Sequence, residues 1–138
     1  MIKQWYKNIL NQDQLKLFIE EAKTGKGNKK AFIGVIEPDA MKRIETSCGK
    51  KAGNIMLESE GIRHSYKKEN HNLKDDDLLH IVDAINTATE IKVSNKTHQN
   101  NVCLEICKDI DGKLTFIMEV RIHYGGWLTL VTCYRKKK

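Results

Sequence analysis

The run V-C-L-E-I-C-K-D-I-D-G-K-L-T-F-I-M-E-V-R-I-H-Y-G-G-W-L-T-L-V-T-C-Y, residues 102–134, decides the fold. It divides into three apolar, β-branched and aromatic stretches separated by D-I-D-G-K and H-Y-G-G. Asp111-Gly112 and Gly125-Gly126 supply the positive φ that tight hairpin turns require. The expectation is an antiparallel meander, with I-K-V-S at residues 91–94 as a further strand just upstream.

Upstream of the meander the periodicity changes. In D-Q-L-K-L-F-I-E-E-A-K, Leu15, Phe18, Ile19 and Ala22 fall on one helical stripe that Gly25 ends. A-F-I-G-V-I reads as a short strand, and Pro38 then opens a helix through D-A-M-K-R-I-E-T that Gly49 terminates. N-I-M-L-E-S reads as another strand, followed by G-I-R-H and the loop K-K-E-N-H-N. Leu78, Ile81, Val82 and Ile85 then repeat at helical spacing behind Asp75 to Asp77, which suit the positive end of a helix. Helices followed by strands make an α+β domain spanning residues 1–138. Its helices are expected on one sheet face, leaving the other open to a ligand.

The formal charge of +6 favours a polyanionic partner, although Arg135 to Lys138 contribute much of it and a basic tail is often only a solvated terminus. Cys48, Cys103, Cys107 and Cys133 are read as free thiols, because no second ligand pair follows at zinc-finger spacing. No stretch reaches the length of a membrane span, and M-I-K-Q-W-Y lacks an apolar signal core, so the chain reads as a soluble domain.

The chemistry-bearing residues cluster in R-H-S-Y-K-K-E-N-H-N-L-K-D-D-D and in the final strand. His64 and His71 are the acid/base candidates, since imidazole with an unperturbed pKa of about 6.5 serves either proton-transfer role near neutrality. Taken singly, each is explained equally well by a polar niche or a turn; together, in a basic chain, they suit metal-independent RNA cleavage. That reaction needs a base for the 2′-hydroxyl, an acid for the departing 5′-oxygen, and donors for the phosphorane. No cofactor is expected, and a metal at His64 and His71 lacks obvious third and fourth ligands. Lys67, Lys68, Arg121 and Arg135 are the phosphate or RNA-binding candidates, with guanidinium the better planar partner for phosphate. Thr132 and Tyr134 alternate to one face of the last strand, opposite Val131 and Cys133, for a phosphate oxygen and a base respectively. His80 is read as a partly buried structural residue, and His98 as part of the polar loop N-K-T-H-Q-N-N.

S-E-G-I-R-H-S-Y, H-N-L-K-D-D-D-L-L-H-I-V-D-A-I, E-I-K-V-S, the paired strands and T-C-Y-R-K together resemble the phage-associated branch of the barnase/EndoU/colicin/RelE-like nucleases. The resemblance covers residues 54–135. It implies helices packed on a four- or five-stranded antiparallel sheet, metal-independent cleavage of tRNA or rRNA, and site residues at His64, His71, Thr132 and Tyr134. It further implies a toxin domain delivered from a secreted parent protein in bacterial competition, acting in the cytoplasm and held in check by a cognate immunity protein. The chain departs from the barnase type in placing Glu119, Arg121 and His123 on one short strand, which keeps Glu119 as base and His123 in reserve. Two other readings stay open: a noncatalytic RNA- or ribosome-binding module, which would not need His64 and His71 together, and a structural or partner-binding phage protein.

Overall fold

The computed structural model describes residues 9–67, 71–74, 76–110, 112–122 and 125–136, with residue 136 described by its backbone alone. Helix α1 (Gln12–Thr24) opens on a reciprocal cap, in which the Asn11 side chain accepts from the Gln14 amide and the Gln14 side chain accepts from that of Asn11. Strand β1 (Lys30–Val35) leads into α2 (Pro38–Cys48), which starts at the chain's only proline and stops at left-handed Gly49 (φ 75°). Strand β2 (Asn54–Glu58) runs straight into α3 (Ser59–Lys67). A 3₁₀ turn (Asp77–His80) and α4 (Ile81–Asn86) precede β3 (Glu90–Val93), β4 (Cys103–Asp109), β5 (Lys113–Arg121) and β6 (Trp127–Lys136).

The expected meander is present: β3, β4, β5 and β6 pair antiparallel in chain order. The sheet is larger than four or five strands and not purely antiparallel. Its order is β1-β2-β6-β5-β4-β3, because β2 pairs β6 in parallel through Asn54↔Trp127, Ile55↔Leu128 and Met56↔Thr129. That contact joins segments more than 70 positions apart and needs no turn, so no local signal announces it. The helical segment behind the aspartates also differs from the periodic reading. It begins as a 3₁₀ turn, and Asp77 is turned inward instead of facing solvent at a helix end.

One sheet face carries the core. Ile55, Leu57, Leu104, Ile106, Phe116, Met118 and Leu128 pack there with Leu15, Ile19, Ile44, Leu78, Ile81 and Ile85 from the helical segments. Since side chains alternate along a strand, Thr115, Ile117, Glu119 and Arg121 project to the other face. The register of β6 breaks between Ile117↔Thr132 and Met118↔Leu130, leaving Val131 as an extra residue. This bulge puts Trp127, Thr129, Thr132 and Tyr134 all on the face of Glu119, while Leu128, Leu130 and Cys133 enter the core.

β2 follows β6 for only three residue pairs, and α3 then occupies the vacated edge. The approach is close at Gly61, where any Cβ would collide with the Leu130 carbonyl. Hence α3 rides directly on β6 and carries His64 to the rim of the open face.

Candidate functional site

The open face holds a cleft of about 340 Å³ lined by Glu58, His64, His98, Glu119 and Arg121, with Asn28 and Glu60 at its edge and Leu130 and Val131 of the bulge in its wall. Its floor is a connected polar network. Arg121 Nη2 lies 2.9 Å from Glu58 Oε2 and 3.1 Å from Glu119 Oε1. Glu58 also accepts from Thr129 Oγ1 at 2.7 Å and from Asn28 Nδ2 at 2.8 Å, with Lys30 Nζ at 3.9 Å. Glu119 is fully buried between apolar strand residues, and three further donors make that tolerable. Arg121 is one; Asn101 Nδ2 at 2.6 Å and His98 Nδ1 at 3.0 Å are the others.

The loop geometry explains the last two. His98 and Asn101 exchange both backbone hydrogen bonds across Gln99 and Asn100, which are left-handed at φ 51° and 66°. This is the two-residue turn in which both central residues take positive φ. Residues directly opposite in such a pair project their side chains to the same side. His98 and Asn101 therefore close on Glu119 like two jaws.

Burial works to raise the Glu119 carboxyl, but the hydrogen bonds from Arg121, Asn101 and His98 outweigh it and hold the group below the ordinary carboxylate range. Arg121 is pushed the other way: burial opposes its charge, yet Glu119 and Glu58 raise it above the usual guanidinium value. The Cys103 thiol beneath the loop is raised by burial and by the Glu119 charge.

His64 lies on this cleft and connects it to a second group of rings. Its imidazole centroid is 6.2 Å from that of His71, which in turn is 6.0 Å from the ring of Tyr134. The histidine segment and the closing strand thus converge. His71 is fixed through Nδ1, 2.9 Å from the Ser65 carbonyl oxygen, and stands beyond the cleft wall. Burial raises the Tyr134 phenol, and the nearby Glu105 charge adds to the effect. Comparison with protein-family models, curated proteins and solved structures returns no match.

Several sequence expectations are corrected here. Arg135, a phosphate-binding candidate from sequence, does not lie on the surface: it is buried on the core side of β6, with Nη2 2.6 Å from Asp77 Oδ1 and Nη1 donating to the Ile110 carbonyl. Strand alternation sends it inward with Cys133, which a basic tail motif conceals. Thr132 does share the open face with Tyr134, but its hydroxyl oxygen is closed off from solvent and has no hydrogen-bond partner among the described residues. A phosphate oxygen reaches it only if its neighbours shift. Lys67 is exposed at the end of α3. Lys68 and His123 lie outside the described residues.

Sequence pattern does not mark His98, Glu58 or Asn101 as site residues. The one available signal was Glu119 itself, a carboxylate inside F-I-M-E-V, which demands buried donors. Arg121 stands two positions along the same strand, and the Asn- and His-rich loop N-K-T-H-Q-N-N is the natural source of the other donors.

Proposed function

We propose that the protein is a metal-independent endoribonuclease that cleaves RNA by attack of its own 2′-hydroxyl, with the open sheet face as the catalytic surface. The observation that carries this reading is the pairing of two imidazoles, His64 and His98, on one cleft around the doubly held guanidinium of Arg121. Proton transfer in both directions and stabilisation of a phosphorane need that set of groups and no metal. The row of His71 and Tyr134 beyond His64 gives an adjoining base a surface to stack on. Glu58 and Glu119 are offset by Arg121 and Lys30, so the attraction for phosphate rests on the overall charge of +6. RNA affinity on this reading falls steeply with salt. The same proposal includes a toxin role on cytoplasmic tRNA or rRNA, restrained by an immunity protein that covers this face.

One observation favours a noncatalytic RNA- or ribosome-binding module instead: Arg121 is already engaged by two carboxylates, which leaves phosphate contacts to exposed cations such as Lys67. Incubation with total tRNA and rRNA in EDTA separates the two. Fragments ending in 2′,3′-cyclic phosphate, lost in His64→Ala, are the expected result. Intact RNA with a salt-sensitive gel shift, unchanged in His64→Ala, supports the binder and overturns the nuclease.

A further inference from the structure

We propose that His98 is the general base of the cleavage reaction and Glu119 its positioning residue, an inference that rests on the ribonuclease reading above. Sequence pattern assigned the second proton transfer to His71, but His71 stands outside the cleft and its Nδ1 is directed at the Ser65 carbonyl. His98 is placed differently. Its side chain is 43% exposed and lines the cleft, while the carboxylate behind it is 1% exposed. With the lowered Glu119 carboxyl ionised, Oε1 accepts the Nδ1–H of the neutral ring at 3.0 Å, so the Nε2 lone pair is the one left for the substrate. The turn at Gln99 and Asn100, with Asn101 on the other carboxylate oxygen, sets the ring's orientation.

The step balances without a further reactant. The 2′-hydroxyl proton passes to His98 Nε2 as the 2′-oxygen–phosphorus bond forms. The phosphorus–O5′ bond breaks, and O5′ takes a proton from a ring nitrogen of His64. The products are a 2′,3′-cyclic phosphate and a 5′-hydroxyl.

The charged and titratable groups that line the cleft with His98 are Glu119 and Arg121 from β5, Glu58 from β2, and Glu60 and His64 from α3, with Cys103 of β4 against its backbone. Among them only Glu119 touches the imidazole. Its carboxylate holds the ring by the Nδ1–H, so Glu119→Gln should lower kcat with KM little changed, and Glu119→Asp should restore part of the loss. A merely structural Glu119 lowers the folded fraction and leaves kcat per folded molecule unchanged.

Acid and base are separated with two substrates, a short RNA and a nucleoside 3′-aryl phosphodiester whose phenolate leaving group needs no proton. His64→Ala should lose a much larger factor on RNA than on the aryl substrate. His98→Ala should lose roughly 100- to 10,000-fold on both, the range typical of a removed general base. A smaller loss by His98→Ala on the aryl substrate overturns the assignment. Should Glu119→Gln fail to fold, nitrogen-detected NMR of the wild type reports the His98 tautomer: Nδ1–H is expected, and Nε2–H overturns the proposal. Wild-type protein that leaves both substrates intact refutes the ribonuclease reading and this inference together, whereas active wild type with equally active His98→Ala refutes the inference alone.

Discussion

Replacing Asp77 by Ala tests whether the inward turn of Arg135 is a structural feature of the core. Asp77 is 2% exposed and Arg135 8% exposed. One carboxylate oxygen accepts from Arg135 at 2.6 Å, and the other accepts from the Lys74 amide at 2.8 Å. The guanidinium also donates to the Ile110 carbonyl, so it ties β6 to the β4–β5 connection and to the 3₁₀ turn before α4. Removing one partner of a buried pair leaves a desolvated charge and is expected to cost roughly 3–5 kcal/mol. In a domain of this size that corresponds to a fall in Tm on the order of 10–20 °C. Replacing both partners, as in Asp77→Leu with Arg135→Met, removes the desolvation penalty along with the attraction and should recover most of the loss. Urea unfolding followed by circular dichroism gives each value from the midpoint, provided the slope is unchanged. A loss below about 1 kcal/mol for Asp77→Ala, the range of an exposed pair, refutes the buried-pair argument. The double variant should also bind RNA like wild type, since Arg135 does not face the cleft.

Three other outcomes are expected. Because Glu119 is held below its unfolded value, its contribution is full above the ordinary carboxylate pKa of about 4.3 and is lost as pH falls through the lowered folded value. Glu119→Gln should accordingly cost roughly 2–3 kcal/mol at neutral pH and flatten the acid side of the stability profile; urea midpoints between pH 3 and 7 check it, and an unchanged acid slope counts against the network. Gly61→Val forces α3 away from the Leu130 carbonyl, so it should destabilise the fold by at least about 1–3 kcal/mol and lower activity even where the protein remains folded. Cys133 is buried and its thiol is raised well above the usual value by that burial, whereas Cys48 and Cys107 are partly exposed. Thiol titration of native protein should label Cys48 and Cys107 first and Cys133 only on unfolding, as peptide mapping would reveal; early labelling of Cys133 contradicts the packing.

The resemblance and the basic charge direct attention to His64 and His71, and the structure brings both to one surface with Tyr134. Their neighbours are set by something less legible. The extra residue Val131 shifts the alternation of β6, so Thr129 joins Glu58 and Glu119 on the open face and Leu130 turns into the core. Reading W-L-T-L-V-T-C-Y with strict period two gets Thr132, Tyr134 and Cys133 right and misplaces the residues before the bulge.

Sequence alone determined the meander, the limits of α1 and α2, and the division into helices and strands, since each rests on contacts within a few residues: side-chain periodicity, caps, and glycine at positive φ. Tertiary structure decided the parallel β2–β6 seam, the burial of Arg135 against Asp77, and the meeting of His98 with Glu119. Those depend on pairing between distant segments, where a buried charge or carbonyl selects its partner by geometry and desolvation, and no spacing along the chain encodes the choice.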